Sequence, residues 1–273
     1  MNPADNTPLD ERSRHLRKRV LHAMEKGGRG HLASAFSLIE ILRTLYDDVL
    51  RTRPSEPDWP DRDRCILSKG HGCLALYAIL ADKGFFPVEA LDTFCRFDSF
   101  LGGHPERGRI PGVEASTGAL GHGLSIGVGM ALAARMKKQS HRVVVILGDG
   151  ESNEGSIWEA AMAAAKHRLD NLITLVDCNG MQSYGPTREV LDMAPMAEKW
   201  RAFGCETREV NGHDLAALRT ALATPPQPAR PLTILCHTVK GKGIGVAENN
   251  ADWHHKSKLA PDLLASLYGE LEA

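Results

Sequence analysis

Two apolar segments separated by a glycine-rich turn and a helical stretch constrain the fold of this chain most strongly. The first, VVVIL, covers residues 143–147, and the second, LITLV, covers residues 172–176. Runs of this kind are typical of strands buried on both faces of a parallel sheet. Between them, GDGESNEG precedes a segment at 156–167 with helical periodicity. The pattern predicts a βαβ unit, which is typical of α/β proteins.

The remaining segments extend this unit to an α/β fold in which helices flank both faces of a parallel sheet. A short apolar run at 65–67 ends in a polar turn. Further strands are predicted at 207–210 and 232–236. Helices are predicted at 10–26, 37–50, 73–83, 123–136 and 215–223. The segment 101–123 is rich in Gly and Pro and too long for a passive connection, so we expect a functional loop. No linker interrupts the 273 residues, and we expect one domain over 1–273.

Composition excludes several classes of partner. With 33 Lys and Arg against 34 Asp and Glu, the net charge of -1 gives no field that would attract nucleic acid. We interpret the basic stretch RHLRKR at 14–19 as a solvated helix face. No apolar stretch is long enough to span a bilayer and no signal peptide is evident, so we expect a cytoplasmic protein without membrane partners. The six cysteines form no CxxC pair and are interpreted as reduced packing residues.

Oxygen-bearing residues follow the two central strands. Asp149 follows the first and Asn179 the second, and Met181 offers a backbone carbonyl two residues further on. In parallel sheets, ligands bind outside the carboxyl ends of the strands. Three protein oxygens would leave three octahedral positions for diphosphate oxygens and water around Mg²⁺ or Ca²⁺. The sequence therefore predicts a divalent ion that bridges the chain to a diphosphate.

The motif GDGESNEG followed by CNGM resembles the thiamine diphosphate motif, and the whole chain resembles the N-terminal half of transketolase. Further stretches carry the same resemblance in the order found in that family: GRGHLASAFSLIEILRTLY, RDRCILSKGHG, GGHPE, PGVEASTGALGHGLSIGVGMALA and HTVKGKGIGVAENNADWHHK. Any single stretch is weak, whereas all of them together are specific. The resemblance implies the transfer of a two-carbon ketol unit from a ketose to an aldose, with thiamine diphosphate and Mg²⁺ or Ca²⁺ as cofactors.

The resemblance also implies roles for individual residues. The implied metal ligands are Asp149, Asn179 and the carbonyl of Met181. The implied cofactor-binding residues are His71, Gly118, Ala119, Leu120, Asp149, Gly150, Asn179 and His254. The implied catalytic residues are His31, His71, His104 and His254. Of these, His31 and His104 match histidines that hydrogen-bond the hydroxyls and carbonyl of a ketose donor, a task that suits neutral imidazole.

Two residues and the chain length depart from the family pattern. His122 stands where the full-length enzymes commonly have Gln, and His255 stands where Gly is usual. A complete transketolase resembles this chain plus a pyrimidine-binding domain and a C-terminal domain, and the resemblance implies that the glutamate that activates the cofactor lies outside the stretch matched here. The resemblance therefore implies a partner, the C-terminal transketolase subunit carrying that domain, in an α2β2 heterotetramer acting on sugar substrates.

Other functions stay open at the level of sequence. GLSIG at 123–127 matches the G-x-S-x-G nucleophile elbow, but no apolar strand precedes Ser125, so we interpret the match as coincidental. The alternatives within thiamine enzymes are the alpha-type subunit of a 2-oxoacid dehydrogenase and a deoxyxylulose-phosphate synthase. A non-catalytic regulatory subunit is a further alternative. Glu154 is expected to cap the following helix or to lie at a subunit contact, and Gly127 and Gly129 to allow close packing.

Overall fold

A five-stranded parallel sheet forms the centre of the computed structural model, which describes Ala4 and residues 6–272. The strands are β1 (Arg29–Gly30), β2 (Arg64–Leu67), β3 (Val143–Gly148), β4 (Leu172–Cys178), β5 (Glu206–Asn211), β6 (Leu232–His237) and β7 (Lys256–Ser257). In the central sheet the order is β2-β3-β4-β6-β5 with every pair parallel, while β1 and β7 form a separate antiparallel pair. The predicted α/β fold and its strands are thus confirmed.

Ten α-helices surround the sheets within the described part of the chain. They are α1 (Glu11–Gly27), α2 (Leu32–Phe36), α3 (Ile39–Thr44), α4 (Cys73–Asp82), α5 (His122–Met136), α6 (Gly155–Lys166), α7 (Thr187–Val190), α8 (Met196–Ala202), α9 (Leu215–Ala223) and α10 (Pro261–Glu270). The helix expected at 37–50 is wrong in its bounds. Helical structure already begins at Leu32, is interrupted at Ser37, and ends in a π-helical turn at Leu45–Val49. The residues of α2 are all buried, so tertiary packing rather than amphipathic periodicity sets this start.

Successive side chains of the central strands enter two different cores, because side chains alternate across a sheet. Val144 and Ile146 belong to the core formed with α1 to α4. Val143, Val145 and Leu147 belong to the core formed with α5, α6 and α8. Both faces of β3 are therefore covered, which explains the continuous apolar run in its sequence.

The basic stretch on α1 is only partly solvated, so that expectation needs correction. Arg17 is fully buried and binds Glu40 through two hydrogen bonds, of 2.6 and 2.9 Å. Nδ1 of His213 lies 2.7 Å from the second Glu40 oxygen. The opposite charge of Glu40 compensates the burial of the guanidinium. This network joins α1, α3 and the turn after β5.

The glycines of α5 differ in their surroundings. A Cβ on Gly127 would lie 2.4 Å from Cγ2 of Val145, so this glycine allows the helix to pack on β3 as expected. A Cβ on Gly129 would meet nothing within 4 Å, so its expected packing role is not fulfilled within the described chain. Ser125 lies exposed inside the same helix. A loop and not a strand precedes this helix, so the strand-to-helix turn of a nucleophile elbow is excluded.

Other local expectations concern caps and cysteines. Glu154 occupies the N-cap position of α6, yet its side chain makes no capping hydrogen bond. All six cysteines are free, and four are buried. Nowhere in the described residues does a helix combine the length and apolarity that crossing a membrane requires.

Candidate active site

A cavity of about 360 Å³ lies at the carboxyl ends of the central strands. Most of the predicted site residues line it: His31, His71, Gly118, Leu120, Asp149, Gly150, Asn179, Met181 and His254. A larger depression of about 670 Å³ shares Asp149 and Asn179 with this cavity. His31, His71 and His254 line the smaller cavity.

Two predicted residues lie at the edge of this cavity rather than in its lining. Ala119 is exposed. His104 is also exposed, but its ring centroid is 6.4 Å from that of His31, and its Cδ2 would be 2.9 Å from a Cβ on Gly118. His122 begins α5, and its ring Nδ1 donates to the Leu120 carbonyl at 3.0 Å. The loop 118–122 thus connects the cavity to a surface helix.

The three predicted oxygen ligands converge because β3 and β4 are neighbours. Gly148 pairs with Asp177 in the parallel register, which places the residues after both strands side by side. The Gly180 N–H donates to Oδ2 of Asp149 at 2.7 Å, and the Gly150 N–H donates to Oδ1 at 2.8 Å. The Met181 N–H donates to Oδ1 of Asn179 at 3.1 Å. Backbone contacts therefore fix both side chains in place.

The electrostatics of Asp149 favour a nearby cation. Burial, followed by the negative charge of Asp177, raises the pKa of Asp149 to about 6. A bound cation would favour the ionised carboxylate. Among the described residues no group of three or more His, Cys, Asp or Glu is arranged to hold a metal. A divalent ion held by one carboxylate, one amide and one carbonyl would need phosphate oxygens to complete its shell.

Other features of the cavity fit a diphosphate. Lys69 and Lys240 both line it and supply positive charge. Burial, then the charge of Lys69, lowers the pKa of Lys240 to about 8, so its ammonium group stays mostly charged at neutral pH. A Cβ on Gly150 would lie 2.6 Å from Cγ of Gln182, so glycine at this position allows the Gln182 side chain to lie against the backbone. Nε2 of Gln182 and Oδ1 of Asn153 are buried and have no hydrogen-bond partner among the described residues, as expected of atoms that contact a bound polar group.

The histidines form one cluster centred on His31. The ring centroid of His31 is 5.2 Å from that of His254 and 5.4 Å from that of His71. Burial is the largest cause that lowers the pKa of each ring, and neighbouring positive groups add to it. The pKa of His31 falls to about 4, that of His254 to about 3, and that of His71 well below its ordinary value. The cluster is therefore neutral at pH 7 and offers both donors and acceptors.

Lys240 sets the tautomer of His254. Its Nζ donates to Nδ1 of His254 at 2.8 Å and to the Met181 carbonyl at 3.2 Å. An ammonium group donates only, so Nδ1 of the neutral imidazole must accept and Nε2 carries the proton. One lysine thus connects a predicted metal ligand with a predicted substrate ligand.

Sequence reasoning missed three charged residues of this site. Lys69, Asp177 and Lys240 are buried around the cavity, although they lie inside the motifs SKGHG, VDCNGM and TVKGKG. The only sequence feature that could have indicated these three residues is that they stand beside the predicted site residues within those glycine-rich motifs. A lysine or aspartate in a turn is ordinarily solvated, so only the three-dimensional pairing shows their placement.

Comparison with known proteins gives a family. Residues 11–268 match the family described as transketolase, thiamine diphosphate binding domain. One of the subunits of an apulose-4-phosphate transketolase from Phocaeicola vulgatus is 43% identical over 248 residues, covering 90% of this chain and 88% of the relative. One of the subunits of a 6-deoxy-6-sulfo-D-fructose transketolase from Clostridium sp. is 42% identical over 265 residues, covering 97% of this chain and 96% of the relative.

Solved structures agree with this assignment. The transketolase from Campylobacter jejuni superposes with a TM-score of 0.88 at 30% identity, covering 96% of this chain and 42% of that one. The transketolase from Leishmania mexicana gives a TM-score of 0.85 at 28% identity, covering 98% of this chain and 45% of that one. The fold, the family match and the relatives all agree. The chain belongs to the transketolase family, as its N-terminal, thiamine-diphosphate-binding part.

Proposed function

We propose that the chain is the diphosphate-binding subunit of a two-component transketolase. With a second subunit that carries the pyrimidine-binding domain, it transfers a two-carbon ketol unit from a ketose donor to an aldose acceptor. The observation that carries this proposal is the convergence of Asp149, Asn179 and Met181 with the neutral histidine cluster in one cavity. The relatives named as transketolase subunits support the same function.

The residues of the cavity divide into two tasks. Asp149, Asn179 and the Met181 carbonyl would hold Mg²⁺, or Ca²⁺, and Lys69 and Lys240 would neutralise the diphosphate. Thiamine diphosphate supplies the carbon nucleophile and the electron sink when it is bound.

The histidines would serve the sugar. His31 and His104 would bind the hydroxyls and carbonyl of the donor, and His71 would contact the diphosphate end of the cofactor. His254 would donate through Nε2–H to a substrate oxygen, because Lys240 occupies its Nδ1. Neutral imidazoles can take and return a hydroxyl proton as the carbon–carbon bond breaks and forms.

The outer face of α5 and α6 is the surface we assign to the partner. Exposed apolar positions recur along α5 at helical spacing: Ile126, Gly129, Ala133 and Met136. Met162 on the adjacent α6 is 51% exposed. A surface helix ordinarily turns polar residues outward, so an apolar stripe indicates a protein contact. The stripe starts next to loop 118–122, so a partner bound there would close the cofactor site.

The alternatives have less support. The 2-oxoacid dehydrogenase and deoxyxylulose-phosphate synthase interpretations lack the support that the transketolase relatives give. A regulatory subunit would not need the buried lysines and the neutral histidine cluster. The proposal names no particular sugar, and the α2β2 assembly and the cytoplasmic location stay predictions.

Purification from the native cells tests the proposal. The tagged chain should bring down a second chain of similar size, with thiamine diphosphate and Mg²⁺ in near-equal ratio, and the complex should transfer ketol units. Ile126→Asp should lose the second chain. Val246→Asp makes the same kind of apolar-to-charged change at an exposed position outside α5 and α6, and it should keep the second chain. A chain that is isolated alone and binds neither cofactor nor Mg²⁺ when a candidate partner is added would overturn the proposal.

A further inference from the structure

His255 is the nearest ring neighbour of His31, and the backbone fixes this contact. Strands β1 and β7 pair antiparallel with Arg29 opposite Ser257 and Gly30 opposite Lys256. Continued by one residue, this register places His31 opposite His255. The ring centroids are 4.8 Å apart at an interplanar angle of 69°. Directly opposed residues of an antiparallel pair have neighbouring side chains, so this register brings the two rings together.

Four histidine rings surround the His31 imidazole. Within the described residues no hydrogen bond holds either of its ring nitrogens, so both remain available to a ligand. Its other ring neighbours are more distant, from 5.2 Å for His254 to 6.4 Å for His104. His255 is exposed, whereas His31 is partly buried. The ring at position 255 is therefore the nearest of the rings that can hold His31 in its orientation.

The geometry assigns His255 as a positioning residue that, through its ring contact, holds His31 in the orientation needed to hydrogen-bond the ketose donor. This inference rests on the proposed function for the role of His31, whereas the contact itself does not. His255 would act through His31, and the sugar need not touch it. A side chain at 255 that keeps an aromatic ring should keep the function, and one without a ring should lose it.

Electrostatics support the same arrangement. The titratable and charged groups that face His31 are Lys69, His71, His104, Lys240, His254 and His255. After burial, the charge of His255 is the largest cause that lowers the pKa of His31. Removal of the 255 ring would remove both the ring contact and this contribution to the lowered pKa of His31. His31 would then be both mobile and easier to protonate.

Two variants test the contact without turnover. In the full chain with ¹³C-labelled histidine, the NMR signal of His31 should be single in the wild type and in His255→Phe. In His255→Gly it should broaden or split, and the pKa of His31 should rise toward its ordinary 6.5. A sharp His31 signal with an unchanged pKa in His255→Gly would overturn the inference.

Kinetics of the assembled complex test the consequence. With D-fructose 6-phosphate, or the ketose that the wild-type complex turns over, His255→Gly should raise the donor KM on the order of tenfold, because misplaced binding groups weaken productive binding. The acceptor KM should stay unchanged, and His255→Phe should restore the donor KM. An unchanged donor KM in His255→Gly overturns the inference, and so does a His255→Phe variant as weak as the glycine variant. If the wild-type complex transfers nothing, the proposed function fails while the NMR result still decides the contact.

Discussion

Nζ of Lys69 lies 2.5 Å from Oδ2 of Asp177, in an ion pair buried beneath the cavity. Asp177 also accepts hydrogen bonds from Ser37 Oγ at 2.7 Å and from Asn179 Nδ2 at 3.1 Å, and a further one from the Thr238 hydroxyl. A carboxylate only accepts hydrogen bonds, so the Nδ2 end of the Asn179 amide must face Asp177. The Oδ1 end then points away from Asp177, toward the proposed metal. Asp177 thus orients the predicted metal ligand Asn179 without being a predicted ligand itself.

Asp177→Asn should damage both stability and the site. The change leaves Lys69 buried without its counter-charge, which should lower the free energy of unfolding by about 3–5 kcal/mol. The new amide can donate, so Asn179 loses its fixed orientation and metal-dependent cofactor affinity should fall by about 10–100-fold. Urea unfolding and cofactor titration measure the two effects.

Ser37→Ala is the matched control for that variant. It removes one neutral donor to Asp177 and a long, 3.5 Å contact from Asn179 Nδ2, but keeps the ion pair and the shorter contact between Asn179 and Asp177, so its cost should be about 1 kcal/mol with little loss of affinity. If Asp177→Asn binds cofactor as the wild type does, the orienting role of Asp177 is wrong.

The neutral histidines should make stability depend on pH. His31 and His254 have pKa values lowered to about 4 and about 3, against 6.5 in the unfolded chain. Below pH 6.5 the unfolded state therefore binds more protons at these positions, and their contribution to stability falls as the pH drops from about 6.5 to about 4 for His31 and to about 3 for His254. Urea unfolding across this range measures the slope.

A double variant isolates this contribution. The raised pKa of Asp149 has the opposite effect on stability. As the pH falls through about 6, the folded state binds a proton at Asp149 before the unfolded state does, which stabilises the folded state. The wild type should lose more stability on acidification than His31→Asn/His254→Asn does. Parallel curves for the two proteins would show that these imidazoles are not neutral in the folded state.

The two glycines of α5 should respond oppositely to alanine. Gly127→Ala forces a methyl group to 2.4 Å from Val145, so overpacking should cost about 1–3 kcal/mol. Gly129→Ala meets open space in a helix interior and should stabilise the isolated chain by about 1 kcal/mol. Thermal or urea unfolding of both variants decides the point, and equal signs would be inconsistent with the packing described.

The buried ion pair of α1 should matter far more than an exposed one. Glu40→Ala strands the Arg17 guanidinium, whose side chain is 0% exposed, and should cost about 3–5 kcal/mol. The comparison is Arg219→Ala, which breaks a pair with Asp48 of 2.7 Å whose side chains are 47% and 36% exposed. That change should cost about 0–1 kcal/mol. Similar losses of unfolding free energy in both variants would argue against a structural role for the Arg17 network.

The sheet and the oxygen ligands were predictable because their signals are local. The strands β3 and β4 are continuous apolar runs, and each is followed directly by the turn that carries Asp149 or Asn179. The parallel order then requires these turns to meet at one edge. The resemblance to transketolase added the histidines, which no local pattern brings together.

The buried Arg17 network and the pairing of β1 with β7 could not be predicted, because they depend on contacts between distant parts of the chain. Arg17 pairs with Glu40, 23 residues away, and donates to the carbonyl of Lys242, 225 residues away. Neither partner is evident from the basic stretch itself, which therefore suggested a solvated position. Strands β1 and β7 have two residues each, too short for any alternation to predict. Their register nevertheless creates the pairing of His31 with His255.

The most direct test of the central claim is a calorimetric titration of thiamine diphosphate into the complex of this chain with its partner. It should be done with and without Mg²⁺, for the wild type, for Asp149→Ala and for Asp98→Ala, a change at an exposed carboxylate outside the cavity. We predict one equivalent of cofactor per chain, bound only with the divalent ion. Asp149→Ala should abolish this binding while it keeps the fold, and Asp98→Ala should retain it. Binding of wild-type affinity in Asp149→Ala, or binding independent of any divalent ion, would contradict the site.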